Sequence, residues 1–184
     1  MRIISGSVGS RSIDVPSSVA RPSTDRLREA LFSILGQRVV DARVMDLFSG
    51  SGALGLEALS RGAARCEFID ESRESAFVVR KNIKSLELGN ARVVNQDVFR
   101  YLNGVSSDSY DLIFADPPYW KSGADRDYVF DLLSHEKLPA ALAEDAMLVI
   151  EDPPKNKRED MNGWKLLDSR RYGGCGILFY QREL

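Results

Sequence analysis

With 184 residues, 43% hydrophobic and 28% charged, the chain has the make-up of one soluble globular domain with a substantial core and a small appendage. No apolar run approaches the roughly 20 residues of a membrane span, and residues 1–6 lack the apolar core of a signal peptide. A formal net charge of -2 argues against a protein that coats nucleic acid non-specifically. Cys66 and Cys175 are too few and too far apart for a disulfide framework or a zinc site. A cytoplasmic, reduced protein without a metal is expected.

Charge is unevenly placed. The first forty residues carry Arg2, Arg11, Arg21, Arg26, Arg28 and Arg38 against Asp14, Asp25 and Glu29, and Lys155, Lys157 and Arg158 follow Pro153-Pro154. Each cluster is either a basic face for phosphates or ordinary solvated surface.

In chain order, residues 1–20 alternate weakly around Gly6 and Gly9, as in a small hairpin or arm. Arg21-Pro22-Ser23-Thr24-Asp25 supplies capping oxygens for a helix whose apolar positions are Leu27, Ala30, Leu31, Ile34 and Leu35, with Gly36 as the stop. Arg21, Arg26 and Arg28 fall at the start of that helix, where cations oppose its dipole. An anionic partner or plain surface charge would explain them.

Strands are predicted at 43–47, 66–69, 91–94, 111–115 and 146–151, and helices after Gly55, over 73–86 and around 128–133. The tail reads as a hairpin, 164–167 with 177–180, across Gly173, Gly174 and Gly176. Alternating strands and helices closed by two adjacent strands define an α/β, doubly wound sheet. There is no internal repeat.

Gly50-Ser51-Gly52-Ala53-Leu54-Gly55 fits a nucleoside-cofactor turn between a strand and a helix, a pattern shared by nicotinamide, flavin and other cofactors. Asp46, Asp70 and Asp97 each end a predicted strand, so all three point toward one crevice. Asp70 stands at the distance expected of a ribose-binding acid, Asp97 could accept from an adenine amino group, and Asp46 could orient the turn or a cationic ligand end. An acid so close before the turn suits an ammonium and a sulfonium better than a pyrophosphate.

The 111–115 strand runs into Asp116-Pro117-Pro118-Tyr119. Two prolines end the ladder and hold an extended corner, with a carboxylate on one side and an aromatic ring on the other. An acceptor beside a flat surface suits a nucleobase with an exocyclic amine.

Asp46-Leu47-Phe48-Ser49-Gly50-Ser51-Gly52, Asp70 and the Asp116–Tyr119 tetrapeptide resemble a class I methyltransferase acting on an exocyclic amine. Residues 21–32 and Ala53-Leu54-Gly55-Leu56-Glu57-Ala58-Leu59 resemble, more narrowly, the RsmD-type 16S ribosomal RNA guanine-N2 methyltransferases, and the likeness spans essentially the whole chain. It implies an arm at 1–20 and a methyltransferase domain at 21–184, S-adenosylmethionine as cofactor, and 16S rRNA as partner, within a partly assembled 30S particle.

The resemblance also implies a cofactor set of Asp46, Phe48, Ser49, Gly50, Ser51, Gly52, Asp70, Glu71, Asp97, Val98 and Asp116. Arg21, Thr24, Arg26, Pro118, Tyr119 and Trp120 would meet the substrate. The Asp116 carboxylate and the Pro117 carbonyl would accept the two amine N–H bonds, Tyr119 would stack on the base, and Asp116 need not have a raised pKa. Residues 171–175 depart from the polar residues usual after the Tyr-Gly pair. A DNA adenine-N6 methyltransferase and a nicotinamide-dependent oxidoreductase are the alternatives. His135 is expected at the surface or in a cap, and Cys66 in the core. Trp120 and Tyr128 either line the base pocket or pack under the following loop.

Overall fold

The computed structural model describes residues 1–17, 24–119, 125–153, 156, 158–161 and 163–183. Its helices and strands run α1 (Asp25–Leu35), β1 (Arg43–Leu47), α2 (Ala53–Ser60), β2 (Arg65–Asp70), α3 (Arg73–Leu86), β3 (Ala91–Asn95), α4 (Val98–Leu102), β4 (Tyr110–Ala115), α5 (Tyr128–Leu133), α6 (Lys137–Ala141), β5 (Leu142–Asp152), β6 (Trp164–Tyr172) and β7 (Cys175–Arg182). Local chemistry sets the ends. The Thr24 hydroxyl accepts from the Leu27 N–H at 3.2 Å to open α1, and Ser72 does the same for Ser75 at the head of α3.

The sheet has the order β3-β2-β1-β4-β5-β7-β6. β1 to β5 pair in parallel, and β7 enters antiparallel between β5 and β6. Side chains alternate between two cores. Val44, Phe68, Leu112, Phe114, Val149 and Phe179 pack with α1, α2 and α3 on one face. Met45, Leu47, Ile69, Ile113, Leu148, Ile150 and Tyr180 pack with α4, α5 and α6 on the other. The result is a three-layer α/β arrangement, with helices on both faces of a mostly parallel sheet.

Two elements differ from the pattern-based expectation. β5 begins at Leu142, with the short α6 immediately before it. β6 runs on through Asp168, Arg170 and Arg171, because it is an edge strand with little but Trp164 fully buried and so has no apolar run to announce it.

Residues 1–17 lie along the outer face of α2 and α3. Ile3 and Ile13 enter the same core as α1. The N–H groups of Ile4 and Ser5 donate to the Glu57 carboxylate at 2.7 and 3.1 Å, and Asp14 exchanges two hydrogen bonds with the buried amide of Asn82. The Ser17 N–H and hydroxyl reach Glu74, in the first turn of α3. The arm thus climbs α3 toward the end nearest the carboxyl edge of the sheet.

Gly55 shows how closely α2 is packed. A Cβ there would lie 2.4 Å from Phe68 Cε1 and 2.6 Å from Cys66 Sγ, whereas one on Gly89 would meet nothing within 4 Å. Gly55→Ala is expected to lower the free energy of urea unfolding by about 1–3 kcal/mol, and Gly89→Ala to change it by less than about 1 kcal/mol.

Candidate active site

The strand order reverses at β1, which has β2 on one side and β4 on the other. Register pairs Leu47 with Ala115, and the next residue, Asp116, donates its N–H to the Leu47 carbonyl at 3.3 Å. Asp46 and Asp116 therefore reach the same edge at the switch point.

Asp46 is buried, and its Oδ2 accepts the Gly55 N–H at 2.9 Å. Burial pushes its pKa up to about 8; the Gly55 bond opposes this and the charge of Asp70 adds to it. Between Asp46 and α2 the chain turns through Phe48, Gly50 and Gly52, all with positive φ (57°, 52° and 78°). Gly50 donates its N–H to Asp70 Oδ2 at 2.8 Å, and Asp70 Oδ1 accepts from the Ser72 N–H at 2.8 Å. Asp70 thus fastens the turn to the head of α3. Ser49 Oγ is buried in the turn without a hydrogen-bond partner among the described residues. Asn82 Nδ2, which donates to the Asp14 carbonyl, also donates to the Ser51 carbonyl at 3.1 Å, so the arm and the turn share one amide.

At the diproline corner Pro117 is buried, Pro118 is exposed and Tyr119 is half-buried. The Tyr119 hydroxyl donates to Glu151 Oε1 at 2.7 Å. Pro117, Pro118, Tyr119, Tyr128, Glu151 and Pro153 line a cleft there. The pKa of Asp116 stands well above the ordinary carboxylate value, through burial first and then the charges of Glu151 and Asp46. The amine chemistry does not need this shift; it arises because Asp116 shares a desolvated edge with acids that disfavour its ionised form.

The remaining expected site residues divide. Asp97 caps α4, accepting the Arg100 N–H at 2.9 Å. The Val98 side chain is buried in the core, which leaves its backbone for a ligand. Glu71 is exposed, and its carbonyl accepts from Asn95. Ser51 Oγ faces the Met1 sulfur at 3.9 Å. Phe48 packs edge-on against Phe99 and Tyr128, with the Arg126 guanidinium over both of those rings. Thr24 and Arg26 are exposed on α1. Arg21 and Trp120 lie outside the described residues.

Two basic expectations are corrected. Arg28 is not open to an external anion or to solvent at the start of α1; it is 0% exposed, and its anionic partner is internal, the Asp25 carboxylate at 2.8 Å, with a second bond to the Arg2 carbonyl at 2.7 Å. Arg158 is no phosphate-facing or freely solvated cation. Its guanidinium grips Asp127 through two bonds of 2.9 Å and Asp152 through bonds of 2.8 and 3.4 Å, bracing α5 against the end of β5. Lys155 and Lys157 lie outside the described residues. Glu151 went unread in the sequence, although it stands near the end of a strand as Asp46 and Asp70 do. Asn82 gave no signal, since a polar residue inside an amphipathic helix reads as surface.

The family described as Conserved hypothetical protein 95 matches residues 1–181. The chain is 37% identical over 185 residues to ribosomal RNA small subunit methyltransferase D of Escherichia coli K12, covering 100% of this chain and 90% of that protein. The chain belongs to the RsmD-type methyltransferase family. Another relative in this range is the putative rRNA methyltransferase YlbH of Bacillus subtilis, 34% identical over 188 residues and covering all of both chains. The solved putative methyltransferase yhhF from Escherichia coli superposes with a TM-score of 0.82 at 36% identity, over 100% of this chain and 98% of that one. Membership makes the chain an S-adenosylmethionine-dependent enzyme.

The raised pKa of Asp46 has a thermodynamic consequence. A carboxyl whose pKa is higher folded than unfolded contributes stability that is full below about pH 4 and is lost as pH rises through about 8. Asp116 acts with the same sign. The cofactor-free protein is expected to lose about 1–3 kcal/mol between pH 6 and pH 8.5, a fall in Tm of roughly 2–10 °C. Asp46→Asn, which keeps an oxygen for the Gly55 N–H, should flatten that decline in thermal melts; an unchanged slope would mean that Asp46 is ionised throughout.

Proposed function

We propose that the protein transfers a methyl group from S-adenosylmethionine to the exocyclic N2 amine of a guanine in small-subunit ribosomal RNA. The observation that carries this reading is the Asp116-Pro117-Pro118-Tyr119 corner, set one strand away from Asp46 and the glycine turn at the reversal of the sheet. The names of the family's members support RNA as the substrate class. The nicotinamide alternative gives the corner no role, and the DNA alternative draws no support from those relatives.

The residues fit the cofactor. Asp46, Asp70 and Asp116 concentrate negative charge at one edge, and a cation placed among them would return Asp46 and Asp116 to the ionised form. The unpartnered Ser49 hydroxyl and the backbone of Gly50 and Gly52 would hold its polar end. Asp70, Glu71 and Asp97 would take the ribose and adenine edges, with the Val98 backbone beside them. When bound, S-adenosylmethionine supplies an electrophilic methyl: a nitrogen–carbon bond forms as the sulfur–carbon bond breaks, and sulfur keeps the electron pair.

The chain's own residues prepare the nucleophile. A guanine amine is conjugated with its ring and is a poor nucleophile. Ionised Asp116 and the Pro117 carbonyl accept its two N–H bonds and aim the nitrogen lone pair along one direction. Positioning of this kind supplies most of the acceleration, with electrostatic help as the amine becomes cationic before it gives up a proton. Tyr119 offers a stacking surface, a contact worth about 1–3 kcal/mol in nucleic-acid complexes. The base must leave its stack to enter the corner, which favours a loop or weakly paired nucleotide. Exposed Arg26 and Thr24, with Arg21, Pro118 and Trp120, would guide the RNA. The substrate would be a partly assembled 30S particle in the cytoplasm. Among the described residues, no helix is long and apolar enough to cross a membrane.

Asp116→Ala is expected to abolish transfer of labelled methyl into unmethylated 30S particles while S-adenosylhomocysteine affinity stays within a few-fold. Equal loss of both would assign that carboxylate to the cofactor, and label appearing only in DNA adenine would overturn the guanine reading. Arg26→Ala should weaken RNA binding more than cofactor binding in filter or anisotropy titrations; unchanged RNA affinity would return Arg26 to plain surface charge.

A further inference from the structure

We infer that Glu151 is a positioning residue for Tyr119: its carboxylate holds the tyrosine hydroxyl across the mouth of the diproline corner and so fixes the surface on which the base is laid. The inference rests on the reading of the corner as the base site. Its geometry comes from the sheet. β5 pairs with β4 on one side and β7 on the other, with Ala115 opposite Ile150 and Glu151 opposite Ile177. The strand that carries Glu151 is therefore fixed from both sides, and Glu151 lies in line with Asp116. By contrast, Tyr119 stands past the end of its ladder, beyond two prolines that give it no backbone donors to lean on.

A half-buried phenol needs an acceptor, and here it has one at 2.7 Å. Tethered only by its backbone, the ring could rotate about its side-chain torsions. Tied at the hydroxyl to a rigid strand, it presents one plane. The other titratable groups facing Glu151 are Asp116 from the end of β4, with Asp46 behind it, and the Cys175 thiol at the start of β7. Asp127 and Asp152 line the same cleft, each paired with Arg158. The same contact with Glu151, after burial, holds the Tyr119 phenol above its ordinary pKa.

The test uses the full chain and four variants: Glu151→Ala, Glu151→Gln, Tyr119→Phe and the double Glu151→Ala/Tyr119→Phe. Single-turnover transfer into unmethylated 30S particles is measured beside S-adenosylhomocysteine affinity. Expected are rates lowered roughly ten- to a hundredfold in Glu151→Ala and in Tyr119→Phe, a double variant no slower than either, recovery of most of the rate in Glu151→Gln, which keeps an acceptor, and cofactor affinity unchanged throughout. Tyrosine ring-carbon NMR on the cofactor-free protein gives a readout independent of activity: the Tyr119 signal, assigned by its loss in Tyr119→Phe, should titrate at lower pH in Glu151→Ala than in the parent.

Losses that multiply in the double variant, a parent-like rate in Glu151→Ala, or an unmoved Tyr119 titration would overturn the assignment. A matching loss of cofactor affinity would overturn it too, moving Glu151 to the cofactor side. Should Glu151→Ala not fold, Tyr119→Phe against Glu151→Gln decides: slow transfer in the first with near-parental transfer in the second supports the tether, and slow transfer in both refutes it. A parent chain that methylates no RNA would defeat the reading under Proposed function, while the titration would still decide whether Glu151 holds the ring.

Discussion

The parallel pairing of β1 with β4 is the constraint from which the site follows. Because Leu47 and Ala115 stand opposite each other, the carboxylate inside the end of one strand and the corner past the end of the other meet at a single edge. A slip of one residue would turn each side chain to the opposite face. Such an arrangement works against stability, since it gathers desolvated acids that repel one another. The fold offsets this with backbone donors: Gly55 for Asp46, and Gly50 and Ser72 for Asp70. The turn that such donors shape is the part that would meet a cofactor, so the groups that tame the acids also order the site.

The same logic orders the outer layer. Glu57 has no exposed surface, yet it accepts from two N–H groups of the arm and from Arg61, with buried Arg28 close enough to act on it. A charge placed there without partners would cost several kcal/mol. The arm is accordingly part of the packing of α2 and does not hang from it.

Much of this was legible in the residues. Strand ends could be read because apolar runs stop at acids and prolines, as at Asp70 and Asp116. The helix over α3 could be read from its spacing and its caps. What stayed hidden has a common physical cause: a charged or amide side chain in the sequence carries no sign of whether it faces water or a partner distant along the chain. Arg28 looked like an exposed cation at a helix start and proved to be buried. Arg158 looked like half of a basic patch and proved to be a brace between two acids. Glu151 looked like an ordinary strand residue, because its partner Tyr119 lies on another strand's loop. The edge strand β6 was under-read for the opposite reason, since its pairing is made by backbone and leaves little trace in side-chain pattern.

One shared amide has a wider consequence. Asn82 bonds the Asp14 carbonyl with the same nitrogen that bonds the Ser51 carbonyl. Detaching the first residues of the chain would rob that nitrogen of half its engagement and leave it free to swing. The beginning of the polypeptide and the bend after its first strand are thereby made cooperative: neither can loosen without slackening the other, and an event felt at the outer arm has a direct mechanical route to the floor of the crevice.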